Sequence, residues 1–167
     1  MITWETPDKG VGTRRASAAG LGAFWPCARV IGAPRLQGDH LGHTPESTLV
    51  AVYGTLRRGQ HNHAVLGASC FVGLAKTAPR YTLFDLGVGF PGMVEGGESS
   101  VVVELYEVDA ATLARLDRLE GVDHGLYRRV SIELADGLQV SGYLLGGGWR
   151  GEKRAIGSGD WLTALSI

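Results

Sequence analysis

In LDRLEGVDHGLYRR, from Leu116 to Arg129, the glutamate at position 120 sits where local electrostatics disfavour it. It falls on the last turn of an expected helix, where unpaired carbonyls and the helix dipole oppose negative charge by roughly 0.3–1 kcal/mol at an exposed site. Counting from Leu113, Leu116 lies about 60° to one side and Glu120 only about 20° away, so its carboxylate points along the apolar stripe. Asp117, one turn earlier, adds a like charge. All three influences favour the protonated acid, and a carboxyl poised nearer neutrality suits general acid–base work. The plainer reading is a solvated glutamate on a frayed turn. Glu104, in VVVELY, is the rival base: it shares a strand face with Tyr106 and either lines a cavity or faces water. Glu95 and Glu98 fall in a glycine-rich loop and read as solvent-facing.

A second chemical feature is YGTLRRG, Tyr53 to Gly59, directly after the first expected strand. A glycine there lets backbone approach a ligand closely, and successive free N–H groups can form an anion-binding nest. GxxxxGK[ST] and GxGxxG are both absent, so neither a P-loop nor a dinucleotide fingerprint is present. The competing reading is an ordinary tight turn with two solvated arginines. His61 and His63 lie two apart in a polar loop without a Cys or carboxylate at zinc spacing, and no GxSxG elbow surrounds a serine.

Composition narrows the field. The net charge of −1 supplies no basic field for nucleic acid, and no apolar run approaches the roughly 20 residues of a membrane-spanning helix. Cys27 and Cys70 are unclustered, which reads as a reduced, cytoplasmic protein rather than a disulfide scaffold.

The elements that must position these residues are short. TLVAVY is a β-rich run ending at Gly54. Possible strands follow at 69–76, 80–85 and after FPGMV begins, and SVVVELYEV is the strongest. Asp136-Gly137 between 129–134 and 139–145 signals a hairpin. Asn62 is expected to cap a brief helix through Leu66. Asp109 is the expected N-cap of the main helix, with Val108 and Leu113 as a hydrophobic staple and Gly121 as its left-handed stop. Many strands and little helix predict an α+β domain built on a small mixed sheet or barrel, spanning 48–167. Residues 1–47 lack sustained periodicity and read as a poorly ordered extension. Arg14-Arg15 lends them a faint export character, interrupted by Pro26 and Arg29; a translation start near Leu49 or Val50 is the other reading.

VAVYGTLRRGQHNH, FPGMV, VVVELYEVDAATLARLDRLEGVDHGLYRR and IGSGDWL, in that order, resemble the gamma-glutamylcyclotransferase-like superfamily, especially its gamma-glutamylamine-cyclotransferase branch. The resemblance implies a small mixed β-barrel with flanking helices. It implies that Tyr53, Gly54, Thr55 and Leu56 hold the glutamyl head of a small γ-glutamyl substrate, that Glu120 is the catalytic acid/base, and that Tyr127 lines the same cavity. It implies release of 5-oxoproline and an amine or amino acid with no cofactor and no metal. A catalytically silent module that binds a small carboxylate on the same fold is the alternative. The Asp160-Trp161 end is expected to serve packing.

Overall fold

The computed structural model describes residues 47–165. The readings made for residues 1–46, export character included, lie outside the described residues. Eight strands and two helices follow in the order β1 (Thr48–Val52), β2 (Cys70–Lys76), β3 (Tyr81–Asp85), β4 (Pro91–Glu95), β5 (Val102–Val108), α1 (Ala110–Leu119), β6 (Tyr127–Glu133), β7 (Gln139–Leu145), β8 (Arg154–Ala155) and α2 (Trp161–Ala164). The class is α+β, as the strand-rich pattern predicts.

The strands form two sheets. Five take the order β2-β5-β1-β7-β6, and three take the order β4-β3-β8. β1 runs antiparallel to β5 and parallel to β7. The edge strands β2 and β6 are drawn together at one end by a bridge between Thr77 and Leu134, with Ala78 N–H donating to the Glu133 carbonyl at 2.9 Å. The sheet thus curls toward a barrel without zipping its edges along their length.

Both faces of the central strands are buried. Ala51 and Tyr53 of the first strand region pack with Val103, Leu105 and Met93, while Val50 and Val52 pack with Tyr106, Val108 and Leu116 on the other side. The twofold alternation of a strand makes this division inevitable once the register is set. Leu116, with no exposed surface, fixes α1 against the second of these clusters.

Local signals hold at the helix that carries Glu120. The Asp109 carboxylate accepts the Thr112 N–H at 2.7 Å, the cap expected of it. Gly121 ends the helix at φ 61°, a conformation that penalises any side chain. The Asp-Gly hairpin forms too, with Leu134 N–H donating to the Leu138 carbonyl at 2.8 Å and Gly137 at φ 85°. Asn62 behaves differently from expectation. Its side chain caps nothing; it donates to Thr55 Oγ1 at 3.0 Å and ties the turn after β1 to the 3-10 turn His63–Leu66. Cys70 opens β2 half-buried rather than lying in the core.

Candidate active site

The turn after β1 is held from beneath. Arg57 is 5% exposed, which corrects the picture of two solvated arginines. Its Nε donates to Glu104 Oε1 at 3.3 Å and its terminal nitrogen to Asp160 Oδ1 at 2.5 Å. Glu104 Oε2 accepts the Arg58 N–H at 3.0 Å and the Tyr106 hydroxyl at 2.8 Å. Only the Arg58 side chain is exposed, and its guanidinium lies 3.4 Å over the Phe71 ring. Glu104 neither faces water nor lines the cavity; both oxygens of its carboxylate are engaged. Asp160 caps α2 through the Leu162 N–H at 3.0 Å while holding Arg57, so the SGDWL end braces the turn as well as packing.

With its underside braced, the turn presents Tyr53, Gly54, Thr55 and Leu56 to a cavity of about 230 Å³. Glu120 and Tyr127 line the same cavity, so all six residues singled out from the sequence meet in one place. Among the described residues, the N–H groups of Gly54, Thr55 and Leu56 have no acceptor. Asn62 N–H donates to the Thr55 carbonyl at 3.1 Å, and His63 Nδ1 lies 2.9 Å from the Leu56 carbonyl, so the turn's carbonyls are engaged from behind. Three adjacent free amides beside a cavity are suited to an anion. Gly54 is required by crowding: a Cβ built there would stand 2.7 Å from Pro91 Cγ.

Glu120 reaches the cavity as the C-cap of α1. Its carbonyl accepts the Tyr127 N–H at 3.2 Å, and the Gly121 carbonyl accepts the Leu126 N–H at the same distance, closing the loop that follows. Its carboxyl takes no hydrogen bond from any described residue, and burial pushes its pKa up to about 7. The direction agrees with the sequence reading, but the cause is narrower. Asp117 does not press on Glu120, because its oxygens are occupied by the Tyr143 hydroxyl at 2.8 Å and Arg129 at 2.9 Å. Desolvation alone accounts for the shift.

Phe90, Pro91, Leu119 and Leu126 form the apolar side of the cavity. The segment leading into β4 supplies this wall through Phe90 and Pro91, whereas Met93 is fully buried in the core and Val88 is exposed. Phe90 is itself propped by Tyr127 and Trp149, with ring centroids 6.5 and 6.2 Å away. Tyr143, also lining the cavity, was not legible from sequence: it lies mid-strand in β7, where an aromatic reads as packing.

An acid with no hydrogen-bond partner among the described residues, lining one cavity with a row of unengaged amides on an α+β scaffold, defines a small-molecule acid–base site. The chain belongs to the gamma-glutamyl cyclotransferase, AIG2-like family, whose model matches residues 50–163, and it is an enzyme of that type. A Vibrio cholerae protein named "Putative gamma-glutamylcyclotransferase" is 53% identical over 85 residues, covering 51% of this chain and 71% of that one. The rat gamma-glutamylaminecyclotransferase is 34% identical over 93 residues, covering 51% of this chain and 62% of its own. Among solved structures, protein c4763 of uropathogenic E. coli superposes with a TM-score of 0.62 at 28% identity, over 72% of this chain and 97% of its own. Among the described residues, no helix is long and apolar enough to cross a membrane.

Proposed function

We propose that the protein cyclises a γ-glutamyl amine, releasing 5-oxoproline and the free amine, with Glu120 moving the protons. The observation that carries this reading is the free Glu120 carboxyl, with a pKa about 7, in one cavity with the unengaged amides of Gly54, Thr55 and Leu56. The amides receive the α-carboxylate of the glutamyl head and fold the substrate so that its α-nitrogen faces its own γ-carbonyl. Holding both groups of one molecule in a reactive pose is worth up to roughly 7–11 kcal/mol.

The α-ammonium cannot attack until it loses a proton. Glu120, as carboxylate, takes it. The α-nitrogen then bonds to the γ-carbon and the carbonyl π pair moves onto oxygen. As the intermediate collapses, the bond to the leaving nitrogen breaks and Glu120 returns a proton to that nitrogen. The ring nitrogen sheds one more proton and the departing amine takes one up, so charge balances overall. Near neutrality Glu120 is both protonated and ionised in comparable amounts, which suits a group that must accept and then donate.

The apolar wall bears on the leaving group. Among the described residues, no Lys, Arg or His lines the cavity. An α-amino acid departing from this site would bring its carboxylate against Phe90, Leu119 and Leu126 without a counter-charge, which is costly. An amine with carbon alone next to its nitrogen fits better, in keeping with the relatives named for γ-glutamylamines.

The test is 5-oxoproline release from γ-glutamyl alkylamines, γ-glutamyl-ε-lysine and γ-glutamyl α-amino acids. Turnover of the amine compounds, lost in Glu120→Gln, is expected. Saturable binding of all three with no ring-closed product would make the chain a silent carboxylate binder. Turnover unchanged in Glu120→Gln would remove Glu120 from the chemistry.

A further inference from the structure

Three tyrosines, Tyr53, Tyr127 and Tyr143, surround Glu120 in the cavity, and its charge bears on all three hydroxyls. Their protons are committed differently. The Tyr127 hydroxyl donates to the Pro91 carbonyl at 2.6 Å, and the Tyr143 hydroxyl donates to Asp117 Oδ1 at 2.8 Å. Tyr53 is wired the other way round. Its oxygen accepts the Met93 N–H at 3.2 Å, and among the described residues nothing receives its proton. The residue is 6% exposed, so bulk water does not readily take that role.

A buried donor left without an acceptor costs stability, and such groups persist in native proteins where a ligand or water completes them. The bond from Met93 also withdraws charge from the Tyr53 oxygen, which strengthens its O–H as a donor. We propose that the Tyr53 hydroxyl donates a hydrogen bond to the γ-carbonyl oxygen of the bound glutamyl group and holds the oxyanion that forms there. Tyr53 is then a catalytic residue, not only a wall of the glutamyl pocket.

No proton is transferred in this role. When the ring-forming C–N bond closes, the carbonyl π pair moves to oxygen, and the hydrogen bond from the Tyr53 hydroxyl to that oxygen shortens. When the leaving C–N bond breaks, the pair returns and the hydrogen bond relaxes. Burial, with Tyr127 and Glu120 nearby, keeps the Tyr53 pKa well above its ordinary value, so the phenol stays protonated throughout. Tyr127 and Tyr143 cannot do the same without first surrendering bonds to Pro91 and Asp117.

This assignment rests on the cyclisation proposed above, and Tyr53→Phe separates the two. The expected result is a fall in kcat of about 10²–10³-fold, the cost of losing one oxyanion donor, with KM nearly unchanged. Tyr53→Phe turning over within about threefold of the parent enzyme overturns the role of Tyr53 and leaves the cyclisation standing. A parent protein that releases no 5-oxoproline from any γ-glutamyl compound overturns both. Because the variant also leaves the Met93 N–H unpaired, a ring-fluorinated tyrosine at position 53 provides a second route if Tyr53→Phe does not fold. It keeps the acceptor for Met93 but changes donor acidity, so kcat is expected to shift several-fold; an unaltered kcat overturns the role.

Discussion

Arg57 Nε donates to Glu104 Oε1 at 3.3 Å, and only 6% of either side chain is exposed. The pair is completed by Asp160 on one side and by the Arg58 N–H and the Tyr106 hydroxyl on the other. It splits the two candidate bases into different trades. Glu104 is bound from several directions and holds the substrate turn in place, whereas Glu120 is left with a free carboxyl on the cavity side of that turn.

Removing Glu104 should therefore cost stability first. In Glu104→Ala the buried guanidinium keeps only Asp160, and a loss of about 3 kcal/mol is expected from breaking such a pair. Urea unfolding measures it. A cost under about 0.5 kcal/mol would mean the pair contributes no more than an exposed one.

Glu120→Gln should do the reverse. The acid's pKa is raised from 4.5 to about 7, so the folded chain holds a proton that the unfolded chain has already lost across that window. Stability then falls as pH rises from about 4.5 to about 7, by on the order of 2 kcal/mol once residual solvent contact is allowed for. The variant escapes this cost. It should melt higher than the parent at about pH 8 and alike at about pH 4, with activity gone. Equal melting temperatures at both pH values would show that the carboxyl is not desolvated.

The same titration should govern rate. Proton removal from the substrate needs the carboxylate, so kcat/KM should climb with pH through about 7 before other groups intervene. A pH–rate profile with its rising limb near the ordinary carboxylate range would contradict the burial of Glu120.

Gly54→Ala places a methyl 2.7 Å from Pro91 Cγ and 2.9 Å from its Cδ, and a proline ring has little freedom to move aside. The turn must shift, and overpacking of this kind costs about 1–3 kcal/mol. A loss of kcat/KM exceeding the loss of folded protein is expected, because the amides move with the turn. Steady-state kinetics on the folded fraction would expose the opposite result, a variant with parental kcat/KM.

Much of this arrangement was legible locally. Asp109 and Gly121 delimit α1 through bonds to their own neighbours, and Asp136-Gly137 makes the hairpin for the same reason. Asn62 misled because capping is only one use of an amide, and Thr55 offers its side chain a better one. Asp117 misled because its charge is satisfied by Arg129 and Tyr143, one on β6 and the other on β7. The two-residue β8 carries too short a pattern to be seen; it exists because Phe84 and Asp85 offer it an edge.

The order of residues by itself placed an acid on the apolar stripe at a helix end and a glycine turn after a buried strand, since both follow from short-range periodicity and turn chemistry. Folding alone selected which acid stays free. Glu104 meets Arg57, which Asp160 holds from a third part of the chain, and Glu120 meets apolar walls and tyrosines, none of them able to neutralise it. Charge pairing and desolvation depend on what surrounds a group in space, and spacing along the chain does not encode that.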